Sequence, residues 1–180
     1  MMKWLTKKEI DDAINQITKH EPELAKFLYQ KQPPILRSWL PKSSGAIWTL
    51  NGCIVLNDRY LKNGVDWQDA WVVSLIAHEA CHLRQGWERA FSVFGELEAW
   101  HMGFRLYENL GGALLSSTIR ELLDMPLAMD RGNLQNARRC MAEYAGPRYL
   151  VQFLPLFPAR QEIKYRIGQL KVFLRQKTKI

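Results

Sequence analysis

Two histidines four residues apart, with a glutamate directly after the first, are the side chains of this sequence best suited to chemistry. His78, Glu79 and His82 form the string HEACH. Residues four apart on a helix project from the same side, so both imidazoles can reach one cation while the carboxylate lies beside them as a base. The chain has four histidines in 180 residues, and a chance match to this pattern is expected only about 0.005 times. The string therefore predicts a zinc site that activates water for hydrolysis.

A helix must carry this string, and the surrounding residues predict one from Asp66 to Gly86. Asp66 is a suitable N-cap, and Gly86 is a suitable C-terminal stop. Steps of four, three and four residues place several side chains on one stripe: Trp71, Leu75, His78 and His82. We expect this stripe to face the interior, which would place both imidazoles where they need a partner.

A tetrahedral zinc site needs a third protein ligand and, when it is catalytic, leaves the fourth position to water. A second helix is predicted from Phe94 to about Asn109, and Glu96 stands near its start. If this helix packs against the first, Glu96 completes a site of two histidines and one glutamate. We therefore predict that His78, His82 and Glu96 bind the metal and that Glu79 is the general base.

Three other side chains compete for a place in the site. Glu98 is an alternative third ligand, but it lies about 200° around the helix from Glu96, so both acids cannot face the metal. His101 could be a ligand or an oxyanion donor, although a single histidine on an apolar face is expected to be a hydrogen-bonded core residue. Cys81 points about 100° away from its neighbour His82, so we expect it to be a packing residue.

The HEACH string, followed by Glu-Leu-Glu-Ala at 96–99, resembles the gluzincin metallopeptidases, the thermolysin-like class. The resemblance is greatest to the minimal members, which include membrane-bound prenyl-protein proteases and compact phage- and toxin-associated peptidases. It implies that Glu96, His78 and His82 are the zinc ligands, that Glu79 is the general base, and that Ala99 allows the two helices to approach.

The resemblance covers only about residues 46 to 110 and departs from the family pattern at one position. Many gluzincins have Asp or Asn directly after the alanine, where it orients a ligand histidine; this chain has Trp100. Because a metal-bound imidazole usually donates its other N–H to a partner, we expect a carbonyl or another acid to take that role here.

Two β-prone runs precede the histidine helix. Residues 46–50 and 53–56 are rich in branched and aromatic side chains, and Asn51-Gly52 between them is a strong hairpin signal. The hairpin resembles the zincin arrangement, in which an edge strand pairs with an extended substrate. The alternative is a hairpin that only covers the core, and the sequence does not separate the two.

The remaining patterns predict a single α+β domain over residues 1–180, mainly helical and zincin-like. Helices are expected over 6–19, from 21 to before Pro33, over 113–124 and over 130–145, because caps, prolines and glycines punctuate the chain there. Three widely spaced cysteines, no secretory signal and no apolar run of about 20 residues favour a cytoplasmic protein. Segment 149–158, which contains two prolines, is expected to be a loop or an extended piece that could cover the core or line a substrate cleft. The oxyanion donor could be Tyr144, Arg148 or Tyr149.

The C-terminal region is basic. From Arg148 to Ile180 there are eight lysines or arginines and a single acid, Glu162, while Ile163, Ile167, Leu170 and Leu174 recur at helical spacing. Such a helix could bind nucleic acid, anionic lipid or an acidic partner. We expect instead a solvated basic face on a helix whose apolar stripe docks onto the core, since no nucleic-acid-binding motif accompanies it.

These observations predict a zinc-dependent metallopeptidase that binds Zn²⁺ and hydrolyses peptide or protein substrates. The alternative is a non-catalytic helical protein in which a structural or degenerate zinc site supports partner binding through the basic C-terminal helix. A fourth protein ligand in the water position, such as Glu98, His101 or Cys81, would favour that alternative. A third interpretation places the chain in a phage or mobile-element context, where small metallopeptidases process structural proteins or repressors.

Overall fold

The computed structural model describes residues 3–61, 69–113, 115–146 and 148–177. These ranges form four strands, β1 (Lys3–Trp4), β2 (Ile35–Ser38), β3 (Ala46–Trp48) and β4 (Ile54–Asn57). They also form eight helices: α1 (Lys7–Thr18), α2 (Pro22–Lys31), α3 (Ala70–Gln85), α4 (Trp87–Ala90), α5 (Val93–Asn109), α6 (Ser117–Asp124), α7 (Arg131–Ala145) and α8 (Ala159–Lys177). The mainly helical α+β class is therefore confirmed.

The strands form one mixed sheet in the order β1-β2-β4-β3. Strands β3 and β4 are the predicted hairpin, antiparallel around a turn in which Gly52 has a φ of +86°. Strand β2 pairs parallel with β4, and β1 pairs antiparallel with β2. Neither β1 nor β2 was expected, because runs of two and four residues are too short to show a period of two. Strand β3 is left at the edge of the sheet.

Most of the predicted helix ends agree with the structure. Thr6 and Glu9 form the expected capping box of α1, and Gly86, with a φ of +75°, ends α3. The start of α3 differs, because its N-cap is Asp69, whose carboxylate accepts from the Trp71 N–H at 2.8 Å. The expected N-cap, Asp66, lies outside the described residues.

Two hydrophobic clusters lie on either side of the α3–α5 pair. The first joins the sheet to α1, α2 and α3, and the second joins α5, α6 and α7. Because α3 is covered by both layers, most of its residues are buried whichever way they face. The stripe that was expected to be its inward face is the less buried one: Trp71, Leu75 and His78 are partly exposed, since they border the cleft beside α5.

Small residues on α5 allow the two central helices to approach closely. A Cβ atom placed on Gly103 would lie 3.3 Å from the His78 Cβ and 3.3 Å from the Ser74 carbonyl oxygen. Ala99, one turn earlier on α5, is fully buried. The positions of His78 and its neighbours on α3 therefore depend on the absence of larger side chains at these two positions of α5.

Helix α8 forms as predicted, but its apolar stripe does not dock onto the core. Ile163, Ile167 and Leu170 are 58%, 48% and 57% exposed, so this expectation is wrong for the described part of the stripe. The helix contacts the protein through another face, where the Tyr165 ring lies 5.9 Å from the Phe157 ring. Within the described ranges, no helix has both the length and the apolar content that crossing a bilayer requires.

Replacing Gly103 by Leu should lower the free energy of unfolding by about 3 kcal/mol, because the added side chain overpacks the contact between α3 and α5. Urea unfolding followed by circular dichroism measures this loss. The matched control is Gly168→Ala in α8, where an added Cβ meets no atom within 4 Å of the described protein. That variant should change stability by no more than about 1 kcal/mol. Equal stability of the Gly103→Leu chain and the parent would contradict the proposed contact.

Candidate metal centre

The side chains of His78, His82 and Glu96 converge in the cleft between α3 and α5. The two Nε2 atoms lie 3.2 Å apart. Glu96 Oε1 is 3.6 Å from His82 Nε2, and Glu96 Oε2 is 4.0 Å from His78 Nε2. The fold thus brings the three predicted ligand residues to one point, although Glu96 lies on a different helix from the two histidines.

These distances can be compared with those that a metal ion requires. A tetrahedral zinc ion with bonds of about 2.0–2.2 Å holds its nitrogen and oxygen ligands roughly 3.4 Å apart. The distances of 3.2 and 3.6 Å are close to this value, whereas the 4.0 Å distance, which involves the other Glu96 oxygen, exceeds it. The ligand atoms of His78, Glu79 and His82 lie within 4.8 Å of one another. The cluster of His78, Glu79 and His82 could therefore hold a metal ion, and Glu96 lies beside it.

Each imidazole also has a polar partner on the protein around it. The His78 ring donates to the Ala99 backbone carbonyl on α5, and because its Nε2 faces His82, the donor is Nδ1. His82 Nδ1 lies 3.1 Å from Gln85 Oε1, one turn along α3. A carbonyl was expected as one possible partner, but the amide of Gln85 was not. The spacing of three residues between His82 and Gln85 was the available signal.

Burial keeps the His78 ring in the neutral form that a metal ligand requires. Removal from water lowers the pKa of His78 well below its ordinary value, and the positive charge of a protonated His82 lowers it further. The hydrogen bond to the Ala99 carbonyl opposes this shift without reversing it. At neutral pH the His78 Nε2 atom therefore presents a lone pair to the cleft.

Glu79 lies beside the two histidines and is almost completely buried. Burial raises the pKa of its carboxyl group well above the ordinary range, and the nearby charge of Glu96 raises it further. The backbone N–H of Trp48, on strand β3, donates to the carboxylate and opposes that shift. The Trp48 ring centroid lies 5.9 Å from that of His82. The edge strand of the sheet thus forms one wall of the site.

Glu96 is held by two aromatic residues. The Tyr149 hydroxyl donates to Glu96 Oε2, and Trp100 Nε1 donates both to the Tyr149 oxygen at 2.9 Å and to Glu96 Oε2 at 3.3 Å. Burial raises the pKa of Tyr149 well above 10, and the charge of Glu96 adds to the shift. The phenol therefore stays protonated and can donate at neutral pH.

Tyr149 reaches the site because the segment after it is anchored to α5. The carbonyls of Pro155 and Leu156 accept from the Val93 and Phe94 N–H groups at 2.9 and 3.2 Å. These N–H groups belong to the first turn of α5 and have no partner within the helix. Segment 149–158, which was expected either to cover the core or to line a cleft, does both.

The competing candidates are engaged elsewhere. Glu98 forms an ion pair with Arg89 and accepts from the Gln85 amide. His101 Nε2 lies 2.8 Å from the Leu122 carbonyl in a buried environment, which confirms the expectation of a hydrogen-bonded core residue. Cys81 is buried, and burial raises the pKa of its thiol to about 11, as suits a packing residue.

The cluster is partly exposed. The side chains of His78 and Glu96 are 18% and 14% exposed, whereas that of His82 is only 2% exposed. His78 and Glu96 are therefore partly accessible to solvent. Of the three oxyanion candidates other than His101, Tyr149 lies at the site, the Tyr144 ring packs edge-on against Trp100 and Phe104, and Arg148 is exposed.

Comparison with known proteins adds no relative: no protein-family model, no curated protein and no solved structure matches the chain. The arrangement of the side chains between α3 and α5 is therefore the basis for inferring the function.

The chain should bind about one equivalent of zinc, and His82→Ala should lose it, because two ligands do not hold the ion against a competing chelator. Elemental analysis after dialysis against a weak chelator measures the metal content. The matched control is His20→Ala, which removes an exposed histidine at the end of the first helical segment and should leave the metal content unchanged. Equal zinc in the two variants would show that the ion is bound elsewhere.

Proposed function

We propose that this protein is a zinc-dependent metallopeptidase with His78, His82 and Glu96 as ligands and Glu79 as general base. One observation carries the proposal. Acceptor atoms of two imidazoles and a carboxylate converge at distances suited to zinc, and a buried second carboxylate lies beside them. Such a set serves hydrolysis by an activated water.

The catalytic roles follow from the environment of each residue. A bound zinc ion would supply a water of lowered pKa and polarise the scissile carbonyl. Glu79 would accept a proton from the attacking water and pass it to the leaving amine. Burial and the charge of Glu96 raise the pKa of Glu79 above the ordinary carboxylate range, which makes its carboxylate a stronger base. The Trp48 N–H keeps the carboxylate in place while the proton is carried.

The free edge of β3 supplies a place for the substrate backbone. In the hairpin, Asn57 N–H donates to the Gly45 carbonyl and Thr49 N–H donates to the Cys53 carbonyl. Because backbone groups alternate in direction along an antiparallel strand, the N–H and the carbonyl of Trp48 point away from β4 and towards the site. The N–H is taken by Glu79, so the Trp48 carbonyl is the group with which an extended peptide beside the metal could pair. This favours a substrate-binding role for the hairpin over a purely structural one.

The non-catalytic alternative has one observation in its favour, the exposed apolar stripe of α8, which a partner could cover. The centre itself favours an enzyme. Glu98 and His101 are bonded to other groups, and Cys81 is a buried thiol on another face of α3. Among the described residues, none of these three candidates fills a fourth ligand position, so this position is left for water.

Glu79→Gln should lower peptide cleavage by at least about 10²-fold, because the amide cannot accept the proton. The zinc content should stay intact, because residue 79 is not a proposed zinc ligand. Cleavage of a mixed peptide library, followed by mass spectrometry, measures the activity. Glu143→Gln, which alters an exposed acid paired with Arg139 on α7, is the control and should cleave like the parent. Full activity of the Glu79→Gln chain, or no cleavage by the zinc-loaded parent, would contradict the proposal.

Tyr149→Phe should lower kcat by about 10²-fold with little loss of zinc. The reason is that the Tyr149 hydroxyl, which donates to Glu96 in this structure, would turn to the oxyanion once the Glu96 carboxylate binds the metal. Tyr144→Phe is the matched control, because the Tyr144 ring packs against the same tryptophan. The measurement is steady-state cleavage of the best library peptide by the zinc-loaded chains. A Tyr149→Phe variant that loses zinc and keeps kcat per bound metal would assign Tyr149 to holding Glu96 alone.

A further inference from the structure

The amide of Gln85 connects His82 to the protein around the metal centre. Gln85 Oε1 lies 3.1 Å from His82 Nδ1. Its Nε2 atom donates to the Gly95 carbonyl at 2.9 Å and to Glu98 Oε2 at 3.2 Å. The carbonyl oxygen belongs to the first turn of α5, and the carboxylate lies on the same helix. One side chain therefore links the second histidine of α3 to two acceptors on α5.

These two acceptors determine which way the amide faces. A backbone carbonyl and a carboxylate both accept hydrogen bonds and do not donate them. Rotating the amide by 180° would place its oxygen against both acceptors and its NH₂ group against the histidine. The orientation with Oε1 towards His82 is therefore strongly preferred, and an oxygen in that position can only accept.

We propose that Gln85 is a positioning residue that fixes His82 as the Nδ1–H tautomer and thereby keeps its Nε2 lone pair on the metal. This inference rests on the proposed zinc site, and it gives a role to Gln85, which has none in the proposed catalytic function. A histidine that carries its hydrogen on Nε2 cannot bind a metal through that atom, and outer hydrogen bonds of this kind set both tautomer and ring orientation.

The rest of the network explains how Gln85 itself is held. Arg89, on α4, forms an ion pair with Glu98, and its guanidinium lies 4.7 Å from the centre of the Phe94 ring. Glu98 is thereby kept in the position where it accepts from the Gln85 amide. The chain of contacts runs from Arg89 through Glu98 and Gln85 to His82. Glu98 is not a proposed metal ligand, but through Gln85 it still acts on His82, which is one.

The test compares Gln85→Met with Gln85→Glu. Methionine has a similar length and offers no oxygen, so we expect His82 to lose its preference for Nδ1–H and the zinc Kd to rise about 10–100-fold. Glutamate keeps an oxygen that can accept from His82, but it has no N–H group to donate to the Gly95 carbonyl and the Glu98 carboxylate. We expect this variant to retain the Nδ1–H tautomer and a zinc Kd close to that of the parent, although it is less stable. Gln30→Met, on the exposed surface of α2, is the control and should leave both quantities unchanged.

Long-range ¹H–¹⁵N correlation spectra of the metal-free chain at pH 8 report the tautomer, and competition with a chromophoric chelator reports the Kd. If His82 carries no Nδ1 hydrogen in the parent, or if both variants lose stability and zinc affinity together with an unchanged tautomer, Gln85 is only structural and the proposal is overturned. Failure of the parent to bind zinc would instead overturn the proposed function. The tautomer, measured without metal, still tests Gln85 in that case.

Discussion

The fold holds several hydrogen-bond acceptors close together, and most of the centre can be understood from that constraint. Two imidazole nitrogens lie 3.2 Å apart, and the oxygens of Glu96 lie 3.6 and 4.0 Å from them. With hydrogen on both Nδ1 atoms, the lone pairs of the two Nε2 atoms face each other and repel. The cation proposed to bind here would remove this repulsion and thereby stabilise the fold.

Hydrogen-bond partners on the outer side of each proposed ligand maintain this arrangement. The Ala99 carbonyl and the Gln85 amide oxygen bind the two imidazoles from behind, while Tyr149 and Trp100 donate to the carboxylate. All of these contacts act across or beside the narrow contact between α3 and α5. A shift of one helix would therefore change the ligand distances and the outer hydrogen bonds at the same time, and the small residues Ala99 and Gly103 serve the site as well as the core.

Local patterns were sufficient to predict the parts of the site that lie close together in the chain. Spacing along one helix placed His78, Glu79 and His82 together, and a short connection was enough to indicate Glu96 on the next helix. The same patterns predicted the hairpin of β3 and β4. Contacts between distant residues could not be predicted in this way. Tyr149 is 53 residues from Glu96 in the sequence. Strand β2 pairs with β4 although β3 lies between them in the sequence. The direction in which the apolar stripe of α8 faces depends on tertiary packing.

Trp100 supports a different part of the site than an acid or amide at the same position would. An acid or amide at this position would orient a ligand histidine, and Trp100, which can only donate, cannot accept the imidazole hydrogen. In this chain the Ala99 carbonyl and Gln85 accept from the two imidazoles instead. Trp100 is then free to donate to Glu96 and to the Tyr149 oxygen. The histidines and the Glu96 carboxylate thus each have their own hydrogen-bond partners, and Tyr149 gives segment 149–158 a direct contact with Glu96.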